Sequence, residues 1–263
     1  MKKISIVRPD EKMGDAVKIV RGHGLEPVCA PMIDVVKKKD EKFDTFLQML
    51  SKGDVDYVIF TSTNGVKYML ENFLDSDSNL DEDRFIEALK KSKIVAIGEP
   101  TKIFIEKHNL SVDTVPEKFS SEGIVSELSK HEVKGKNIWV IRSSHGSGIL
   151  IDGLKELKAN VFETEVYSIE VPKDLTRQKK LINSAVEGEI DIFTFTSRMT
   201  VVNFLKIAED MQLKTKILEK MNKKMVLAIG NPTKEELEKN GIKVEDVPGK
   251  FTFEALIEGI KNE

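Results

Sequence analysis

The chain has 263 residues, 40% hydrophobic and 32% charged, enough for one large domain or two of about 130 residues each. Its 41 basic and 44 acidic residues leave a net charge of −3, with no basic excess to hold nucleic acid or an anionic membrane. One cysteine excludes an internal disulfide, four scattered histidines (His23, His108, His131, His145) lack ligand spacing for a metal, and there is neither a P-loop nor a GxGxxG fingerprint.

In chain order, the start at Met1 carries too short an apolar run for a secretory signal, and no stretch reaches the ~18 apolar residues of a membrane span. A soluble cytoplasmic protein is expected. Apolar runs at 4–7, 57–60, 94–97, 138–141, 192–195 and 226–229 predict strands. They are continuous rather than alternating, the pattern of parallel strands buried on both faces. Between them, Val66, Leu70 and Phe73 form one helical stripe and Leu150, Leu154 and Leu157 another. Pro100 and Pro232 are expected at the first helical position, after the candidate caps Glu99 and Asn231. Gly24, Asn160 and Gly241 follow helical runs where a left-handed stop is expected. Cys29, between Val28 and Ala30, reads as a buried thiol. The acidic segment 75–84 reads as a solvated connection, and Lys37, Lys38 and Lys39 as either a solvated run or an attractant for an acidic ligand. Alternating β and α predicts parallel sheets with helices on both faces.

The chain repeats itself. Residues 56–62 (DYVIFTS) resemble 191–197 (DIFTFTS) at an offset of 135, and 93–102 (KIVAIGEPTK) resemble 225–234 (MVLAIGNPTK) at 132. The 132 offset also carries Val115-Pro116 to Val247-Pro248, Phe119 to Phe251 and Glu122 to Glu254; Ile6-Val7-Arg8 matches Val140-Ile141-Arg142 at 134. Blocks recurring in one order at nearly constant spacing mean two copies of one α/β unit. Residues 26–36 and 161–171 are extended beyond the needs of one buried strand, so each can leave one domain and run into the other. Two contiguous halves joined near Gly135 remain the alternative on the residues alone.

Ligands of open parallel sheets bind beyond the carboxyl ends of the strands, where the repeated loops fall. Thr61, Ser62 and Asn64 open one helix, Ser197 its copy, and Thr101 and Thr233 follow the two Gly–x–Pro turns. Small hydroxyl residues there can cap free N–H groups or help hold an anion, and both readings stand. Arg8 and Arg142 end equivalent strands, where a guanidinium can fork onto a ligand carboxylate or pair with a neighbouring Asp or Glu. Tyr167, in the second long extended stretch, is a packing residue or a proton donor. The loop 143–148 (SSHGSG) does not match a hydrolase elbow. With no strong acid–base or nucleophile set, any catalysis must rest on holding a substrate in one conformation.

These pieces together resemble the uroporphyrinogen-III synthase family from end to end. The matching residues are Val7-Arg8-Pro9; 60–66 (FTSTNGV); Ala96-Ile97-Gly98 with Thr101; Val115-Pro116-Glu117 with Phe119, Ser121, Glu122 and Gly123; Val166-Tyr167; Phe195-Thr196-Ser197; and Ala228-Ile229-Gly230 with Thr233. The resemblance implies two flavodoxin-like parallel-sheet domains joined by a two-stranded connector. One would combine residues 1–35 with 173–263, the other 38–168, with crossings near 36–37 and 169–172. It implies a monomer acting on hydroxymethylbilane, a linear tetrapyrrole with eight carboxylates, without metal or organic cofactor. The implied reaction is ring closure with loss of water and inversion of the last pyrrole ring through a spiro intermediate. It places the family's important tyrosine on Tyr167, as an aid to departure of the hydroxyl, and its loop hydroxyls on Thr61, Ser62, Thr101, Ser197 and Thr233. Many relatives carry an arginine in the loop after Arg142; here that carboxylate contact is either missing or made by His145.

Overall fold

A computed structural model describes residues 1–78, 80–144, 146, 148–245 and 247–260. Its strands are β1 (Lys3–Ile6), β2 (Glu26–Cys29), β3 (Asp34–Lys37), β4 (Tyr57–Phe60), β5 (Lys93–Ala96), β6 (Asn137–Ser143), β7 (Asn160–Glu170), β8 (Ile192–Phe195) and β9 (Met225–Ala228). Its helices are α1 (Met13–Gly22), α2 (Lys42–Lys52), α3 (Thr63–Leu74), α4 (Glu82–Leu89), α5 (Glu99–Glu106), α6 (Ser121–Leu128), α7 (Ile149–Glu156), α8 (Thr176–Glu187), α9 (Arg198–Asp210), α10 (Lys214–Met221), α11 (Asn231–Lys239) and α12 (Phe253–Glu258). The chain forms two compact units, Met1–Val35 with Glu170–Glu263, and Val36–Ile169.

In the first unit the sheet order is β2-β1-β8-β9, with every pair parallel. The strands are apolar throughout because both faces are covered. Ile4, Ile6 and Ile192 pack with Met13, Val20, Leu256 and Ile257 of α1 and α12. Phe193, Phe195 and Val226 face Leu181, Phe204, Ile217 and Leu237 of α8 to α11.

In the second unit the order is β3-β7-β6-β4-β5, with β7-β6, β6-β4 and β4-β5 parallel. Ile59, Val95, Ile138 and Val140 bury one face against Ile124, Leu128, Leu150 and Leu154 of α6 and α7. On the other face Trp139 lies 5.2 Å from Phe46 of α2 and 5.1 Å from Phe162.

Strands β6, β7, β4 and β5 thus occupy the places of β1, β2, β8 and β9, so the sequence repeat is a repeat of sheet position. Connectivity differs: the β6-β7 pair comes after β4-β5, whereas β1-β2 comes before β8-β9, making one unit a circular permutation of the other. The first unit reads 2-1-3-4 in its own strand order, the flavodoxin-like series without its last strand. In the second unit a parallel bridge from Val95 to Thr114 lies beyond β5, at the place of the missing last strand of that series. A repeated aspartate ties neighbouring strands in each unit. Asp56 accepts Asn137 N–H at 2.8 Å and Lys136 Nζ at 2.9 Å, while Asp191 accepts Lys3 N–H at 2.9 Å and Lys224 Nζ at 2.7 Å.

Several local expectations change. The extended stretch 26–36 is two strands, β2 and β3, in different sheets. The break falls at Pro31, which has no N–H to donate. Buried Gln178 and Asn203 hold it by bonding Pro31 O and Met32 O, the latter at 2.8 Å. Helices α5 and α11 start one residue earlier than the prolines suggest: Gly98 and Gly230 are the caps, with no capping side chain, and Pro100 and Pro232 come second. Lys158 (φ 63°), not Asn160, takes the left-handed stop after α7, whereas Gly24 and Gly241 do so at φ 70° and 76°. Asp81, Glu82 and Asp83 are the cap and first turn of α4, where carboxylates meet unpaired N–H groups. Lys37 and Lys38 pair with Asp75 and Glu165. Cys29 is half-buried, and burial pushes its thiol pKa up.

Candidate active site

Loops that follow parallel strands all lie at one end of the sheet. In the second unit that end carries Thr61 and Ser62 after β4, Gly98 after β5, Arg142 next to the last residue of β6, and Tyr167 late in β7. Ser62 caps α3 by accepting Gly65 N–H at 3.0 Å, and its Oγ lies 2.9 Å from Tyr167 Oη. Thr61 Oγ1 donates to Ile141 O at 3.4 Å. Gly65 lies so close to β6 that a Cβ there would be 3.3 Å from Ile141 O. Asn64 stands half-buried in the first turn of α3.

Tyr167 reaches Ser62 because β7 slips against β6. Arg142 faces Glu165, but Ser143 faces Tyr167, so Val166 is the extra residue of a bulge. Bulges re-aim the side chains beyond them. The Tyr167 ring, 6% exposed, stacks on Tyr68 of α3 at 5.6 Å, and Lys67 Nζ lies 4.8 Å from the Tyr68 ring centre. Ser62 Oγ already accepts one N–H. Its own proton can go to Tyr167 Oη, which leaves the phenol proton available to a departing group.

Arg142 is 7% exposed and pairs with Glu163 at 3.3 Å. The backbone at Gly146 rides on the guanidinium: a Cβ there would fall 2.0 Å from Nη2. His145 lies outside the described residues. Thr101 is buried in the first turn of α5. Phe119, 62% exposed, covers Gly98, where a Cβ would meet its ring at 3.2 Å. At the start of α6, Ser120 accepts Gly123 N–H at 3.1 Å. Glu122's own N–H and the Ser120 hydroxyl hold the Glu122 carboxyl below its usual range, so this helix start already carries an anion.

The first unit repeats the frame but not the phenol. Ser197 caps α9 in a reciprocal box with Thr200, both bonds 3.3 Å. Thr233 is buried in the first turn of α11, and Phe251, 67% exposed, covers Gly230 as Phe119 covers Gly98. Arg8 lies 4.8 Å above the Phe253 ring; burial lowers its pKa, opposed by Glu254 and Asp15. Lys12 is lowered by desolvation and by the charge of Arg8, so two cations share the carboxyl end of β1. Asn137 faces Asn160 as Lys3 faces Glu26, an offset of 134, which maps Tyr167 onto Ile33. A phenol therefore stands at this position in one unit only.

Of the residues singled out from sequence, Thr61, Ser62, Asn64 and Tyr167 cluster; Arg142 stands at the end of β6 and Thr101 opens the helix after β5, the two strands that flank β4; Arg8, Ser197 and Thr233 stand at the corresponding places in the other unit. Sequence reasoning missed Tyr68 and Lys12, whose partners come from distant elements or a neighbouring charge. It also missed the caps Ser120 and Thr252, which the 132 offset between Phe119 and Phe251 was enough to reveal. Among the described residues no group of three or more His, Cys, Asp or Glu side chains is placed to hold a metal ion, and no helix is long and apolar enough to cross a membrane.

A sequence model of the family described as uroporphyrinogen-III synthase HemD matches residues 15–258. The chain is 28% identical over 256 residues to a putative uroporphyrinogen-III synthase of Methanothermobacter thermautotrophicus, covering 97% of this chain and 95% of that one. It is 25% identical over 251 residues to the uroporphyrinogen-III synthase of Chlorobaculum parvum, with 95% and 94% covered. In fold it is similar to a uroporphyrinogen III synthase of Thermus thermophilus, with a TM-score of 0.68 at 18% identity over 98% of this chain and 97% of that one. The matching enzyme of Helicobacter pylori gives 0.65 at 19% identity over 98% and 97%. A family match spanning both units and both copies of the repeat leads to one assignment: the chain belongs to the uroporphyrinogen-III synthase family.

Proposed function

We propose that this enzyme closes hydroxymethylbilane to uroporphyrinogen III, with Tyr167 as the proton donor. The observation that carries the reading is the 2.9 Å bond between Ser62 Oγ and Tyr167 Oη at the carboxyl end of the second unit's sheet. The phenol proton goes to the terminal hydroxyl of the bilane, which leaves as water, while Ser62 stabilises the phenolate by donating to it. The electron-rich last ring closes through the spiro intermediate, and the proton lost when that ring regains aromaticity restores the phenol. Atoms balance: one bilane gives one macrocycle and one water.

The remaining work is positioning. The bilane closes unaided to the symmetric isomer, so the enzyme must fix the last ring before closure occurs. Thr61, Asn64 and Thr101, beside helix starts with unpaired N–H groups, suit carboxylate binding. Arg142 offers its charge from beside Glu163, and Arg8, Ser197 and Thr233 take carboxylates by the same chemistry. The reading takes the enzyme to be a cytoplasmic monomer acting on a free small molecule.

The test is a coupled assay. Hydroxymethylbilane is generated in place, the purified protein is added, and the oxidised porphyrin isomers are separated. Type III product dependent on the protein, and reduced in Tyr167→Phe, is the expected outcome. Type I product alone, with folded protein, overturns the reading in favour of a binding protein for an anionic small molecule.

A further inference from the structure

The second unit has an unfinished sheet edge. β3 spans four residues and β7 eleven, and Lys38 N–H beyond β3 donates to Val166 O at 3.0 Å. The next outward amide, Glu165 N–H, is taken by Asp40 Oδ2 at 3.0 Å. Asn160 N–H turns inward to Lys136 O at 2.9 Å. Strand alternation therefore turns the amides and carbonyls of Val161 and Glu163 outward. No hydrogen bond among the described residues reaches them there.

A cavity of about 400 Å³ runs along this stretch and is lined from both faces of the sheet. Trp139, Phe162 and Lys42 line it on the α2 side, and Val161 and Lys155 on the α7 side. A space reached from both faces lies beyond an edge, where an added strand would run. The Trp139 indole N–H, on a side chain 1% exposed, has no partner among the described residues. Lys42 and Lys155 form no ion pair with a described residue, whereas Glu163 is balanced by Arg142.

We propose that this edge docks an extended acidic segment of a partner protein, which pairs with the outward backbone of Val161 and Glu163. Successive side chains of an added strand point to opposite faces, so acidic residues along it meet Lys42 on one side and Lys155 on the other. A second copy of this chain fits poorly, because edge-to-edge pairing would set these lysines against their own counterparts. The site is separate from Tyr167 and does not depend on the proposed reaction.

Trp139 is the one tryptophan of the chain and reports on the cavity directly. The protein is titrated with a capped hexapeptide Val-Val-Glu-Glu-Val-Val, whose adjacent glutamates point to opposite faces, and with its twin carrying glutamine for glutamate. The expected result is a saturable change in Trp139 emission, with the acidic peptide binding about tenfold more tightly, as two solvent-exposed charge pairs allow. Val161→Pro removes one outward N–H, a change edge strands tolerate, and is expected to abolish the response with the far-UV spectrum unchanged. Should that variant misfold, Lys42→Glu with Lys155→Glu carries the test by reversing the preference towards a valine–lysine peptide. No saturable change up to millimolar peptide, equal affinity for the twins, or binding unaffected by Val161→Pro in a folded protein overturns the proposal. Concentration-dependent dimerisation lost in Val161→Pro also overturns it, because the occupant is then a second copy.

Discussion

The bond between Ser62 and Tyr167 has a measurable signature in stability, independent of turnover. Ser62→Ala removes the acceptor for Gly65 N–H, at a cost of about 1 kcal/mol for a lost cap. It also strips the partner from Tyr167 Oη, on a ring 6% exposed, for about 1 kcal/mol more. Tyr167→Phe loses that same bond but leaves Ser62 capping α3. The double variant loses the bond once, so it should be less destabilised than the sum of the singles by about 1 kcal/mol. Ser197→Ala, the repeat-equivalent cap, should cost about 1 kcal/mol and show no coupling to Tyr167→Phe. Urea unfolding followed by Trp139 emission reads the second unit selectively, because the chain has no other tryptophan, and far-UV ellipticity reads the first unit as well, for Ser197→Ala. Additivity of Ser62→Ala and Tyr167→Phe within ~0.3 kcal/mol would refute the bond as an energetic pair.

Further outcomes follow from the same geometry. Tyr167→Phe should lower kcat about 100-fold or more with little change in KM, since a general acid acts in the transition state; an unchanged kcat in the isomer assay removes the phenol from the chemistry. Gly123→Ala places a Cβ 1.9 Å from the backbone oxygen of Lys118, and should destabilise the second unit by about 2 kcal/mol; a melting temperature equal to the parent's contradicts the packing. Gly146→Ala should displace the Arg142 guanidinium, 2.0 Å from the new Cβ, and raise KM more than it lowers kcat; kinetics identical to the parent's would show that Arg142 holds no carboxylate. The repeated aspartates predict acid sensitivity. Lys224 and Lys3 N–H hold the Asp191 carboxyl below its usual range; at Asp56, desolvation is outweighed by Asn137 N–H and Lys136. Folded pKa values below the unfolded ones give stability that is present above about pH 4 and lost as the pH falls through the folded values. Asp56→Asn and Asp191→Asn should therefore be less stable at neutral pH and lose less on acidification; parallel pH–stability curves for parent and variants speak against the linkage.

Much of the fold was legible because its signals are local. Continuous apolar runs at 57–60 and 192–195 announce strands covered on both faces, and two copies at offsets of 132 to 135 announce two units. Ser62 and Ser197 could be named as helix-start residues because capping is a property of a few neighbouring residues. Gly98 and Gly230 give no capping signal in the sequence because they offer the helix no side chain, and proline's preference for the first helical turn does not fix which residue of that turn it takes.

By itself the sequence determined the strands, the repeat and the set of small hydroxyl residues at strand ends, since each depends on residues close in the chain. Tertiary structure alone decided how these combine. The circular permutation is invisible in the repeat, because similarity between blocks does not say which strands become neighbours. The bulge at Val166 that turns Tyr167 towards Ser62 is a register shift between β6 and β7, set by pairing across the sheet rather than by either strand's composition. The pairing of Arg142 with Glu163 and the stacking of Tyr68 on Tyr167 join residues 21 and 99 positions apart in the chain, and such contacts exist only once the sheet has closed.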